Sequence, residues 1–343
     1  MNCTGETFND VMFEPQYSEI ESRSTIDTTT NMGKFLLGLP LISANMKDIT
    51  GPKMAFEMAS HGGLGILHRF GTIEDAISDF NKAKDIILKK CVPNYYWQKL
   101  GVSVGVKEGD KRRFEELVKA GAKIFAIDVA HGHHILVKRM IEHMRKESNH
   151  SDKLCIIAGN VATPEGAKAL YEWGADIVKI GIGPGSCCET RKNTGVGVPQ
   201  LKALREISKA CPELPTIADG GIKHYGDIPK ALKYTNAVMV GALLSGTSET
   251  PGHVYQNKQG EFYKVYGGSA SGERKVENGR DNAFVEGVVN IVPFRGKVKY
   301  ILRKAKDCIR SSMSYAGADN LNEFRKRAVL VDIGSGAKKE SKI

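Results

Sequence analysis

Between positions 178 and 191 the chain reads Val-Lys-Ile-Gly-Ile-Gly-Pro-Gly-Ser-Cys-Cys-Glu-Thr-Arg. An apolar run ends in a glycine-rich turn, which then presents Ser186, Cys187, Cys188, Glu189 and Thr190 in succession. Glycine allows a sharp bend and a close approach of backbone to ligand. A cysteine on such a loop, where a strand opens into a pocket, is a candidate nucleophile acting as its thiolate. Two buried thiols beside an ordinary loop are the plain alternative. The polar neighbours and the rigid Gly-Ile-Gly-Pro-Gly approach favour chemistry.

Other segments carry complementary groups. Ala218-Asp219-Gly220-Gly221 and Val240-Gly241-Ala242-Leu243 each end an apolar run in glycine. Backbone N–H groups in such turns hold phosphate, and Asp219 beside them can accept hydrogen bonds from ribose hydroxyls. Asp128 in Asp-Val-Ala-His-Gly-His and Asn160 in Ala-Gly-Asn-Val either contact a ligand or cap the helices that follow. Arg69, after His68, is either structural or faces an anionic cofactor. His131 and His133 lack a third ligand in sequence, so a metal is the weaker reading there. Glu286 reads as a surface charge unless its loop folds back toward Thr190.

These groups need a scaffold that brings them to one place. Eight β-branched runs (40–46, 63–68, 102–106, 123–129, 155–161, 176–182, 215–220 and 237–241) alternate with helical patterns at 73–87, 111–120, 134–146, 164–173, 198–210 and 226–233. Strand–helix alternation predicts parallel strands with crossover helices. Eight such units predict a closed (β/α)8 barrel, in which all the polar run-ends share the C-terminal rim. Residues 8–39 are expected to form an N-terminal cap or hairpin, and 298–316 a helix that closes the barrel. Residues 247–295 read as a long polar loop, with a flap at about 267–295 whose charged centre, 271–282, is expected to be mobile.

Composition narrows the classes of function. There is no apolar run of about 18 residues, so no membrane span or membrane partner is expected. The start, Met-Asn-Cys-Thr-Gly-Glu, lacks a secretory pattern. The seven cysteines are odd in number and without paired CxxC spacing, which argues against a disulfide framework or structural zinc and favours a reducing cytoplasm. The net charge of +10 comes from scattered basic residues without an aromatic-rich basic module, so it reads as a solvated face and not as a nucleic-acid surface.

Taken together, Phe8-Asn-Asp-Val, the segment 181–200 with Thr-Gly-Val-Gly-Val-Pro-Gln, Ala218-Asp-Gly-Gly and Ser311-Ser-Met-Ser-Tyr-Ala resemble the IMP dehydrogenase/GMP reductase family over nearly the whole chain. The resemblance implies a single barrel domain over 1–343, usually a homotetramer, with Cys188 attacking the purine C2 carbon. Ala44-Asn45-Met46, where dehydrogenases usually have proline for the asparagine, and Asp128-Val-Ala-His-Gly-His look like the reductase branch. So do the short connection over 72–100, without the inserted regulatory domain, and the flap without the dehydrogenase Arg-Tyr pair.

That branch implies NADPH-dependent conversion of GMP to IMP and ammonia. Thr190 and Glu286 would relay the proton to the leaving amine. Ser186, Gly220, Gly221, Gly241 and Ala242 would hold the phosphate, Asp219 the ribose, and Ser269 and Gly287 the base. Asp128, Ala130, Arg69 and Asn160 would form the cofactor side. The carbonyls of Gly181, Gly183 and Cys188 resemble a monovalent-cation site, with potassium the expected ion. Three departures stand out: Glu189 replaces a common threonine, Asn282-Ala283 a Tyr-Arg pair, and Gly268 a methionine. A carboxylate beside the nucleophile would tend to raise its pKa unless it points away, and the flap changes leave a related nucleotide such as the deoxy form open. The rival readings are an IMP dehydrogenase without the regulatory domain and a non-catalytic purine-nucleotide sensor.

Overall fold

Eight short strands pair in parallel and close on themselves, in the order β7-β8-β1-β2-β3-β4-β5-β6. They are β1 (Leu41–Ser43), β2 (Leu64–Leu67), β3 (Leu100–Val104), β4 (Ile124–Asp128), β5 (Cys155–Val161), β6 (Ile177–Ile180), β7 (Thr216–Asp219) and β8 (Ala237–Val240). This computed structural model describes residues 4–89, 99–148, 154–267 and 289–340. Closure is made by β8 on β1, with Val238 opposite Leu41 and Val240 opposite Ser43. The (β/α)8 barrel expected from the alternation is thus the fold. Its strands are covered on both faces, which is why they read as near-continuous apolar runs and not as alternating ones.

The outer ring consists of α1 (Pro52–Ser60), α2 (Ile73–Lys89), α3 (Glu108–Lys119), α4 (Ile135–Glu147), α5 (Pro164–Glu172), α6 (Gln200–Ala210), α7 (Asp227–Leu232) and α8 (Val298–Tyr315). Local chemistry starts several of them. Thr72 and Asp75 exchange hydrogen bonds of 2.9 and 3.1 Å at the head of α2, a reciprocal cap that satisfies otherwise orphaned N–H groups. Thr163 caps α5 through Gly166 N–H at 3.2 Å, with Pro164 in the first helical position. The helix α1 was not anticipated from the pattern. It packs so closely on β2 that a Cβ on Gly65 would lie 2.4 Å from Ala55 Cα. On the other side Phe114 of α3 meets Phe125 of β4 edge-to-face at 4.8 Å, both fully buried. As expected, α8 completes the ring, packing against α7 and α1.

Among the described residues, three small sheets lie outside the barrel proper. Thr30–Asn31 and Leu36–Leu37 form the N-terminal hairpin. Val11–Glu14 pairs antiparallel with Val329–Asp332, tying the two ends of the chain together. The excursion after β8, read from sequence as loop throughout, instead holds a three-stranded antiparallel sheet of Tyr255–Gln256, Phe262–Gly267 and Val289–Pro293. Its last two strands are separated by more than twenty residues, so no short-range hairpin signal marks them. The charged centre 271–282 lies outside the described residues. Among those described, no helix is long and apolar enough to cross a membrane.

Two outcomes follow from this packing. Phe125→Ala should destabilise the fold by about 3–5 kcal/mol through cavity formation, measured by urea unfolding. At the terminal pairing, Lys338 Nζ lies 2.5 Å from Asp10 Oδ1. Burial opposes ionisation of Asp10, but hydrogen bonds from Lys338 and Thr7 outweigh it and bring the carboxyl from 3.8 down to about 2. A lowered native pKa stabilises above the unfolded value and is lost as pH falls through the native one. Lys338→Met should therefore lower the melting temperature at pH 6 and lose that effect progressively between pH 4 and 2.

Candidate active site

The polar strand ends meet at the C-terminal rim, and a row of charges connects them. Lys179 of β6 is 2% exposed; its Nζ lies 2.7 Å from Asp219 Oδ2 at the end of β7 and 3.3 Å from Asp128 Oδ1 at the end of β4. Arg69, just beyond β2, stands 3.8 Å from Asp128 Oδ2. Asn160 donates to Asp219 Oδ2 at 2.9 Å and to the Gly181 carbonyl at 2.7 Å. Asp128, Asn160, Asp219 and the start of the thiol loop at Gly181 are thus brought together at the rim. Burial works against the charge on Lys179, and the facing Asp219 and Asp128 carboxylates outweigh it, so its pKa stands above the ordinary lysine value. Burial likewise opposes ionisation of Asp128, while Lys179 and Arg69 hold it below the ordinary aspartate range.

The space for this row comes from β5. Asp128 pairs in register with Gly159, and Gly159 with Lys179. A Cβ on Gly159 would sit 2.7 Å from Lys179 Cβ and 2.6 Å from its carbonyl oxygen. The bare glycine lets the lysine cross a whole strand to reach Asp128.

On the loop after β6, Cys188 Sγ lies 3.1 Å from Thr190 Oγ1, the first residue of the single-turn helix Thr190–Thr194. Cys188 is half-buried, whereas Cys187 is 4% exposed and accepts from Asn290 Nδ2 at 3.4 Å. The two adjacent thiols therefore have different surroundings, and the one paired with a hydroxyl faces the rim. Glu189 turns to Lys192, at 3.4 Å, so the extra carboxylate is engaged by a cation one helical turn on. The loop's shape is set by backbone that only glycine suits. Gly181 has φ +148°, and a Cβ there would fall 2.0 Å from the Asp219 carbonyl oxygen. Gln200 locks the same junction, donating to the carbonyls of Ile180 at 2.9 Å and Asp219 at 3.3 Å.

Beside the thiol loop lies a glycine cradle. Gly220 and Gly221 have φ +91° and +84°, and a Cβ on Gly220 would come within 3.1 Å of Gly185 N. Tyr266, from the added sheet, is buried; its hydroxyl lies 3.3 Å from Ser186 Oγ and would stand 3.1 Å from a Cβ on Gly241. Ser186 and Gly241 thereby meet at the Tyr266 hydroxyl, with Gly220 against the neighbouring Gly185. Burial, reinforced by the Cys187 thiol, pushes the Tyr266 phenol well above its ordinary value, so it stays neutral. Ala242 adjoins the cradle, with its carbonyl accepting from Arg295 Nη1 at 3.1 Å.

Glu286, Ser269, Gly287, Gly268 and Asn282-Ala283 lie outside the described residues. Ala130 is exposed on the loop after β4. His133 stacks on Trp173 at 5.7 Å, and among the described residues no group of three His, Cys, Asp or Glu side chains could hold a metal. Sequence reading missed Lys179, Gly159, Tyr266 and Asn45 as site residues. A lysine within Ile-Val-Lys-Ile was a usable signal, since a lysine is almost never buried unless paired.

A parallel barrel whose rim carries a loop-borne thiol, a glycine cradle and a carboxylate at a strand end defines an enzyme working at the C-terminal face of its strands. Residues 5–343 match the IMP dehydrogenase / GMP reductase domain, and the chain belongs to that family. It is 37% identical to a GMP reductase of Leptothrix cholodnii, over 96% of this chain and 97% of the relative, and 37% identical to that of Bacillus subtilis over 93% of each. It is also 32% identical to the inosine-5'-monophosphate dehydrogenase of Aquifex aeolicus, over 99% of this chain and 95% of the relative. A crystal structure of a Trypanosoma brucei GMP reductase in complex with guanosine 5'-monophosphate superposes with a TM-score of 0.88 at 27% identity, covering 98% of this chain and 97% of that one. The chain is an oxidoreductase.

Because Gly181 backs directly onto Asp219, Gly181→Ala should displace the thiol loop and the Asp219 carboxylate together. The expected result is a melting temperature lowered by several degrees and nucleotide binding lost in a titration at 20 °C.

Proposed function

We propose that this chain is a GMP reductase, reducing GMP with NADPH to IMP and ammonia with consumption of one proton. The observation that carries the reading is the Cys188–Thr190 contact of 3.1 Å, set beside a glycine cradle of the kind that holds a phosphate. The reductase branch is supported by Asn45 at the end of β1 and by full-length likeness to reductases. The alignment to the Aquifex aeolicus dehydrogenase runs over 475 positions against 343 residues here, so that enzyme carries segments this chain lacks. A single catalytic domain over 1–343 without an inserted regulatory domain, assembled as a homotetramer in the cytoplasm, belongs to the same reading.

In this reading the phosphate rests on Ser186, Gly220, Gly221, Gly241 and Ala242, and Asp219 Oδ1 takes the ribose; among the described residues no donor reaches that oxygen. Cys188 as thiolate adds to C2 of the guanine, dividing a hard displacement into two steps. Thr190 donates a proton toward the departing amine, backed by Glu286 across the flap, because an unprotonated amine is a poor leaving group. Loss of ammonia leaves C2 bonded to sulfur, and hydride arrival at C2 releases the thiolate and IMP.

NADPH supplies that hydride when bound. The rim offers groups that suit it: among the described residues, buried Arg69 Nε, on the Asp128 side, and Asn160 Oδ1 have no hydrogen-bond partner. Arg69, Asp128, Ala130 and Asn160 would hold it there. For a potassium ion, the carbonyls of Gly183 and Cys188 would join that of Gly181, which already accepts one hydrogen bond from Asn160.

The test is NADPH oxidation at 340 nm with GMP, in potassium buffer. GMP-dependent oxidation yielding IMP should occur with wild type and fall to background in Cys188→Ala; Thr190→Val should lose roughly a hundredfold in kcat. Activity confined to IMP with NAD⁺ would make the chain a dehydrogenase. Tight GMP binding without turnover of either pair would make it a nucleotide sensor.

A further inference from the structure

Lys179 has no place in the steps just described, yet it is the most enclosed charge at the rim. It sits in the barrel mouth between the carboxylate read as ribose-binding and the one read as lying beside the cofactor, 2.7 Å from Asp219 Oδ2 and 3.3 Å from Asp128 Oδ1. The charged groups facing this cluster are Arg69 from the end of β2, Asp128 from β4 and Asp219 from β7, with the neutral Asn160 amide from β5. Lys179 and Asn160 together occupy Asp219 Oδ2, which among the described residues leaves Oδ1 as the oxygen open to a ligand. Without the ammonium, two carboxylates would face each other across the gap left by Gly159, with Arg69 on the far side of one of them.

We infer that Lys179 is a positioning residue which sets the Asp219 carboxylate for nucleotide ribose and ties it to Asp128, so that the nucleotide and cofactor subsites are built on one shared cation. This inference rests on the GMP reductase reading for the identity of the two ligands. The arrangement of the three side chains does not depend on it. A lysine that only supported the barrel would affect the amount of folded enzyme, and hence apparent kcat, without selecting among Michaelis constants. A positioning lysine acts on substrate affinity.

The experiment compares wild type, Lys179→Met, Lys179→Arg, Asp219→Asn and Lys179→Met/Asp219→Asn by steady-state kinetics and by melting at pH 6 and pH 8. Lys179→Met should raise KM for GMP at least tenfold and KM for NADPH severalfold. Lys179→Arg should bring both back to within about threefold of wild type. The double variant should bind GMP no more weakly than Lys179→Met alone, because the two changes remove one arrangement. Wild-type KM values in a folded Lys179→Met, or additive losses in the double variant, would overturn the inference.

Should Lys179→Met fail to fold, Lys179→Met/Asp128→Asn, which relieves the facing negative charges, takes its place with the same expected KM for GMP. Absence of turnover by wild type would sink the GMP reading alone. The lysine's role is then decided by melting: Lys179→Met should be several degrees more stable at pH 6 than at pH 8 relative to wild type, since one of two facing carboxylates must take up a proton. No such pH dependence would overturn the inference on its own.

Discussion

The rim of this barrel depends on one ammonium group held between two carboxylates. A buried cation is tolerated when it is paired and hydrogen-bonded, and removing one partner leaves an uncompensated charge in a poor solvent. Lys179, Asp128 and Asp219 satisfy that condition with Arg69 and Asn160 as outer partners. The strands that supply them are fixed relative to one another by parallel pairing around a closed sheet. The charge row and the barrel closure therefore support each other: neither the lysine's reach nor the carboxylates' spacing would survive a slip in register.

Around that row, glycine does what side chains elsewhere do. Gly159 gives the lysine its passage, and Gly181 allows the thiol loop to lie directly on the Asp219 backbone. The loop so anchored delivers two thiols into different surroundings, Cys187 under the added sheet and Cys188 against Thr190. Adjacent residues with identical chemistry thus acquire different surroundings from backbone geometry. Tyr266 extends the same principle, because a residue from the excursion after β8 reaches back to Ser186 and couples the added sheet to the cradle.

The barrel was legible because its signals are local and repeated. Strand runs such as Cys155–Val161 and helices such as α2 and α5, with Thr72 and Thr163 as caps, each announce themselves within a few residues. The thiol loop and the glycine-ended strands were legible for the same reason. The helix α1 was passed over because it is short and mostly apolar, with Met54, Ala55, Phe56, Met58 and Ala59 all buried and little polar face to mark its period. The sheet of Phe262–Gly267 and Val289–Pro293 was missed because its partners are distant in sequence.

By itself the sequence determined the order of elements, the eightfold alternation, the nucleophile candidate and the family resemblance, all of which reside in residue types and short spacings. Only the tertiary structure decided what Lys179 does. Its neighbours Asp128 and Asp219 lie 51 and 40 residues away along the chain, and a charge inside an apolar strand has no meaning until its partner is known. The same holds for Glu189, whose effect on the adjacent Cys188 thiol depended on where its side chain turned, and it turned to Lys192. Pairing of buried charge is a property of three-dimensional proximity, and proximity across a closed barrel is set by register and closure and not by sequence distance.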